Sequence, residues 1–60
     1  MLTYTLMLSD NGCSVDDGEE YVNLDEVQDI AFDVSAETNR RISIVESFGA
    51  SCHVIGTVLA

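Results

Sequence analysis

The chain has 60 residues, and a domain of this length buries only about 60% of the surface that its unfolded chain exposes. We therefore expect a single αβ domain over residues 1–60, with one modest core. Hydrophobic residues make up 47% of the chain, which argues against disorder. The formal net charge is −9, and Arg40 and Arg41 are its only Lys or Arg residues. Direct binding to nucleic acid or to an anionic membrane is disfavoured, because both depend on basic side chains that meet phosphates.

The chain start lacks the features of a targeting or membrane-spanning segment. Residues 1–8 are apolar but have no basic flank, no cleavage site and too little length to span a bilayer. A cytoplasmic protein is the expectation. Cys13 and Cys52 are then expected to be reduced and half-buried rather than joined as a disulfide.

The first third of the chain predicts a strand and a reversal. Residues 2–9 alternate, and the apolar face expected to meet the core carries Leu2, Tyr4, Leu6 and Leu8. Asn11 and Gly12 tolerate the positive φ values of a type I′ hairpin turn. A returning second strand is predicted at 13–15 and 20–22, and it is interrupted by turn signals at Asp16, Asp17 and Gly18.

A helix is predicted over about 24–38. Asn23 is expected to cap its first turn, and Glu26 completes a capping-box-like pattern at the positive end of the helix dipole. Apolar residues recur at helical spacing and form one stripe for packing on a sheet: Leu24, Val27, Ile30, Ala31 and Val34. Asn39 is expected to end the helix, and the arginines that follow it suit the negative end of the dipole.

The last third is β in character. Residues 41–47 are rich in β-branched side chains and predict a strand, 49–51 form a connection, and 52–59 form a last strand. The strands at 41–47 and 52–59 should pair as a hairpin. The order is then ββαββ, an α+β fold with one helix packed on one face of a mostly antiparallel sheet. One helix cannot cover both faces. The face left exposed, or covered by another molecule, includes part of this hairpin and Thr3, Thr5 and Met7.

From Tyr4 onward the chain resembles a group of short bacterial domains of unknown function, whose pattern is an aromatic strand, an acidic turn with glycine, a capped helix and a closing hairpin. The matching residues are Tyr4, Leu6, Asp17, Gly18, Glu20, Leu24, Ala31 and the 41–46 strand. The usual alanine-rich helix is replaced here by Val27, Ile30 and Phe32. This resemblance implies the fold and brings no activity and no site residues. In size, acidity and element order the chain is also similar to many small acidic phage-encoded inhibitors of bacterial defence.

No motif in the chain provides a usable catalytic or ligand-binding constellation. Ser51, Cys52 and His53 are adjacent, but successive strand side chains point to opposite faces, which separates the thiol from the imidazole. Zinc binding by the two cysteines and His53 lacks paired-ligand spacing. The 10–20 segment lacks EF-hand spacing, and the scattered glycines form no phosphate loop. We therefore expect no enzyme activity, no cofactor and no metal.

The outer face of the predicted helix carries a row of carboxylates, which we call the acidic ridge: Asp25, Asp29, Asp33 and Glu37. Their i, i+4 spacing places neighbours about 6 Å apart, and no basic side chain on the helix relieves their repulsion. Phe32 lies off the apolar stripe, near Gln28 and Ser35, as an exposed aromatic residue among carboxylates. The alternatives are a simply solvated acidic face and a Phe32 ring that folds over the sheet edge.

Two hypotheses of function follow. The first is a small acidic protein-interaction domain that docks on a basic protein surface, with a nucleic-acid-mimicking inhibitor as its most specific form. In that case the ridge replaces phosphates by charge, and Phe32 and Tyr21 are apolar anchors. The second is a structural domain without a ligand, whose exposed sheet face forms a homo-oligomer; the small core favours self-association in both cases. Charge-driven docking weakens with ionic strength, and an apolar sheet contact does not.

Overall fold

A computed structural model describes residues 1–15 and 18–60 of the chain. Its elements are, in chain order, β1 (Leu2–Leu8), α1 (Leu24–Thr38), β2 (Ile42–Phe48) and β3 (Ser51–Val58). The strands form one antiparallel sheet in the order β1-β2-β3, and α1 packs on one face of that sheet. The α+β fold class is therefore confirmed. The turn predicted at Asp16 and Asp17 lies outside the described residues.

The predicted second strand is reduced to two isolated bridges beside β1. Tyr4 and Tyr21 exchange both backbone hydrogen bonds, at 2.7 and 2.8 Å. Farther along β1, Met7 pairs with Ser14. Among the described residues, the sheet therefore has one strand fewer than the ββαββ order requires, but the bridged segment still satisfies backbone groups along the outer edge of β1.

The reversal after β1 occurs at the predicted place with a different geometry. Gly12 has a φ of +72°, and its amide donates to the carbonyl of Leu8 at 2.8 Å. Asn39 is the only non-glycine residue with positive φ in the described ranges, so Asn11 does not adopt the left-handed conformation. A type I′ turn needs positive φ at both central residues. The predicted type I′ turn is therefore wrong.

Helix α1 begins and ends as predicted. The Oδ1 atom of Asn23 accepts a hydrogen bond from the amide of Glu26 at 3.2 Å, which satisfies one of the free amides of the first turn. Asn39 follows the last helical residue with a φ of +58°, and its amide donates to the carbonyl of Ser35 at 2.8 Å. Asparagine adopts this left-handed conformation more readily than most residues. Local hydrogen bonds therefore fix both ends of the helix.

The core lies between α1 and the sheet. Its buried hydrophobic residues are Tyr4, Leu6, Val27, Ala31, Ile42 and Ile44. The predicted helical stripe supplies Val27 and Ala31, and its other members pack against this cluster while partly exposed. A cluster of this size agrees with the limited burial that the chain length allows.

Ser35 is a buried polar residue that the sequence pattern does not reveal, since it is only 1% exposed. Its Oγ donates to the carbonyl of Arg40 at 2.6 Å and accepts from the amide of Ala60 at 3.0 Å. The expectation that Ser35 lies on the outward side of the helix is therefore wrong. The hydroxyl is tolerated inside because both its donor and its acceptor capacity are used.

Strands β2 and β3 form the predicted hairpin through a two-residue turn at 49–50. Gly49 has a φ of +59°, whereas Ala50 is not among the residues with positive φ. A positive φ at the first central position alone is typical of a type II′ turn, where glycine is strongly preferred. This geometry matches the twist of the strands that it joins.

The β2–β3 ladder contains one bulge. Ile44 pairs with Gly56 and Val45 with Val54, so Ile55 is the extra residue on β3. A bulge of this kind bends the strand and increases its twist. β3 is also an edge strand, because the strand order in the described chain gives it no second neighbour.

The sheet face opposite α1 is not covered by any element of the described chain, and we call it the open face. The buried core residues fix which side of each strand faces the helix, and the register assigns the alternate residues to the other side. The open face consists of Thr3, Thr5, Met7, Ser43, Val45, Ser47, Cys52, Val54 and Thr57. Ser43 is its one buried member, and its Oγ lies 2.6 Å from that of Ser9.

Candidate functional site

The acidic ridge lies on the solvent side of α1. All four of its carboxylate side chains are exposed, at Asp25, Asp29, Asp33 and Glu37. Each member follows the previous one by about one helical turn, or roughly 6 Å of axial rise. The helix holds no basic residue in its sequence. Negative charge therefore runs without interruption along the outward side of the helix.

Phe32 is on the same outward side. It follows Asp29 by three residues, a spacing that makes the two side chains neighbours on a helix surface. Its side chain is 54% exposed, which places the ring outside the core and not folded beneath the sheet edge. Full burial of such a ring contributes about 1.5–3 kcal/mol, so much of that free energy is available to a partner that covers it.

Tyr21 lies outside α1, in the segment bridged to β1. Its side chain is half-buried and packs against the core cluster. Its hydroxyl donates to a carboxylate oxygen of Glu19 at 3.4 Å, and its backbone pairs with Tyr4 at the edge of β1. These contacts give Tyr21 a role in the fold, so Phe32 is the exposed aromatic residue of the candidate site.

An exposed apolar pair, missed by the sequence reasoning, lies at one end of the sheet. Leu2 and Phe48 are directly opposite in the β1–β2 register, and both are exposed. The position of Phe48 in the sequence could have predicted this exposure. An aromatic residue next to a tight turn lies at the end of its strand, where few neighbours can cover it. This pair is separate from the ridge.

Register on β3 separates the side chains of the Ser-Cys-His run. Cys52 lies opposite Ser47 on the open face, where its Sγ is 3.4 Å from the Oγ of Ser47. His53 lies opposite Glu46 on the helix side of the sheet. Cys52 and Cys13 are both free and both exposed, so the expectation of half-buried cysteines is wrong. The thiol and the imidazole point away from each other, as strand geometry requires.

Within the described ranges 1–15 and 18–60, no three His, Cys, Asp or Glu side chains are grouped closely enough to hold a metal ion, and no pocket opens. No helix of this part of the chain has the length and the apolar character needed to cross a membrane.

Comparisons with protein-family models, with curated proteins and with solved structures found no match for the chain. They neither support nor contradict the resemblance to short bacterial domains or to phage-encoded inhibitors. The candidate site therefore rests on the geometry of the ridge and of Phe32.

Proposed function

We propose that this chain is a small acidic interaction domain that docks the outer face of α1 on a basic surface of a protein partner. The observation that carries the proposal is the half-exposed ring of Phe32 beside an exposed row of carboxylates on a helix without basic residues. In the complex, Lys and Arg of the partner neutralise the ridge, and the ring is the apolar anchor at its centre.

The charge on the ridge has a cost in the free chain. Each like-charge pair at i, i+4 destabilises an isolated helix by about 0.2–0.5 kcal/mol, and small domains have little stability to spare. A single lysine on the helix would relieve this repulsion, and none is present. A basic partner removes the same repulsion on binding, so the arrangement favours the complex over the free chain.

The partner we propose is a protein that normally holds nucleic acid. The ridge places one negative charge about every 6 Å along the helix axis, which is about half the linear charge density of one DNA strand. The ridge therefore resembles a row of phosphates in the sign and the linear arrangement of its charges, but its charge density is lower. Occupying such a surface would make the domain an inhibitor, without enzymatic activity of its own. A cytoplasmic location fits this role, and the free thiols of Cys13 and Cys52 suit a reducing compartment.

A capture experiment with two charge-matched variants tests this proposal. The wild type, Asp29→Asn/Asp33→Asn and Asp10→Asn/Glu20→Gln are immobilised and exposed to lysate at low salt, and bound proteins are identified by mass spectrometry. Both variants lose two negative charges, but Asp10 and Glu20 lie outside α1. The wild type and the control should retain a shared nucleic-acid-binding protein that the ridge variant loses. Added duplex DNA should release it.

Two outcomes contradict the proposal. If the ridge variant captures the same proteins as the wild type, the ridge is only a solvated face. If both variants lose capture equally, net charge rather than the ridge drives the binding.

A further inference from the structure

The open face carries no charged side chain, although the chain has a formal net charge of −9. The acidic residues of the described chain lie in α1, in the segments that flank it and on the helix side of β2 at Glu46. Arg41 comes just before β2, and Glu20 belongs to the segment beside β1, so charges begin where the open face ends. Two copies of this chain repel each other across its acidic surfaces, and the open face is where they can approach with the least repulsion.

We propose that the open face binds the open face of a second copy. A two-fold axis is the simplest symmetry that joins a surface to itself, and it packs the two sheets face to face with both α1 helices outside. Met7, Val45 and Val54 provide the apolar contact of each copy, and small hydroxyl side chains between them allow close approach. This dimer does not depend on the acidic ridge, which stays free on the outside.

The size of the open face limits how stable the dimer can be. Strand spacing and rise give the three strands a plan area of roughly 330 Å². Two copies then bury less than the total of about 1,000 Å² that a stable specific interface exceeds. We therefore expect a weak, reversible dimer, and not a permanent one.

Salt distinguishes this contact from the docking of the ridge. The Debye length shortens from about 10 Å at 0.1 M ionic strength to about 3 Å at 1 M, which screens the repulsion between two acidic copies. Self-association should therefore strengthen as salt is added, whereas ridge docking should weaken. Failure of one proposal leaves the other standing, because the two surfaces lie on opposite sides of the sheet.

Analytical ultracentrifugation over 10–500 μM provides the first test. The wild type should move from a mass of 6.5 kDa towards twice that value, and more completely in 1 M NaCl. Val54 is 53% exposed on the open face, so Val54→Asp should raise the dissociation constant at least tenfold by placing two charges in the contact. Ala50→Asp adds the same charge at the exposed hairpin turn and should dimerise like the wild type. Circular dichroism must show that both variants are folded.

The wild type itself provides a second test, because its two thiols lie in different places. Cys52 is on the open face, whereas Cys13 is in the turn beyond β1. Alkylation by iodoacetamide, followed by peptide mass spectrometry, should slow at Cys52 as protein concentration rises and stay constant at Cys13. A monomer at 500 μM in 1 M NaCl, or a Cys52 rate that does not change with concentration, would overturn the proposal.

Discussion

The Oγ of Ser35 and the backbone amide of Ala60 form a 3.0 Å hydrogen bond, which ties the end of the chain to the last turns of α1. The same oxygen donates to the carbonyl of Arg40, so one buried hydroxyl joins three parts of the chain. The Ser35 side chain thus holds the connection between α1 and β2 together with the backbone hydrogen bonds of Asn39 and Arg41.

We expect Ser35→Ala to lower the free energy of unfolding by about 1–3 kcal/mol, because it leaves a part-buried carbonyl and amide without this partner. Urea denaturation followed by circular dichroism measures the change. Thr38→Ala is the control, since the Thr38 hydroxyl also bonds a backbone carbonyl but is exposed. That variant should change stability by less than about 0.5 kcal/mol. Equal effects of the two substitutions would show that burial of Ser35 adds nothing.

Leu6→Ala should cost about 2–5 kcal/mol, because Leu6 is 2% exposed and its loss leaves a cavity in a small core. A chain of this length has a total stability of roughly 3–9 kcal/mol, so we expect the variant to lose about half of its free energy of unfolding and to melt at a clearly lower temperature. The matched control is Val22→Ala, since Val22 is exposed. It should keep the wild-type melting temperature within a few degrees. A fully cooperative, wild-type-like transition for Leu6→Ala would contradict the described core.

Asp29→Asn/Asp33→Asn should preserve or raise the melting temperature while it weakens partner binding. Removing two members of the ridge relieves like-charge repulsion worth about 0.2–0.5 kcal/mol per pair. Differential scanning calorimetry measures the first effect, and the capture experiment measures the second. Partner binding must fall without a fall in melting temperature. A drop in melting temperature would mean that these carboxylates stabilise the fold and are not held at a cost for recognition.

Phe32→Ala should change the free energy of unfolding by less than about 1 kcal/mol, compared with about 3–5 kcal/mol for a phenylalanine in a core. The reason is the exposure of its ring. Partner capture should nevertheless fall. Chemical denaturation of the variant and of the wild type measures the change in the free energy of unfolding. A decrease of about 3–5 kcal/mol would place the ring in the core and remove Phe32 from the proposed interface.

Local signals in the sequence were sufficient for α1. Asn23 and Asn39 act through hydrogen bonds within a few residues, and the helical stripe depends only on a 3.6-residue period. The exposure of the ridge and of Phe32 follows from the same period. These parts of the fold and of the candidate site could therefore be predicted without knowing what lies across the core.

The features that could not be predicted from the sequence depend on residues far apart in the chain. Ser35 looks like a surface residue until Ala60 is brought beside it, and the half-buried position of Tyr21 depends on its pairing with Tyr4. The prediction of a second strand was wrong for a related reason, because the segment after β1 pairs with β1 at only two isolated bridges. The register of the strands, and with it the set of residues on the open face, follows only from the pairing of the strands in the folded sheet.

The order of the strands has a consequence for folding kinetics. β2 and β3 are joined by the turn at 49–50, whereas residues 9–41 separate β1 from β2, and closing the longer loop costs more chain entropy. We expect the hairpin and α1 to associate first, and β1 to dock last. Stopped-flow refolding should then give a low φ-value for Leu6 and a higher one for Ile44. Before β1 docks the core lacks Tyr4 and Leu6, so a chain at that stage of folding would expose the helix side of β2 to other chains.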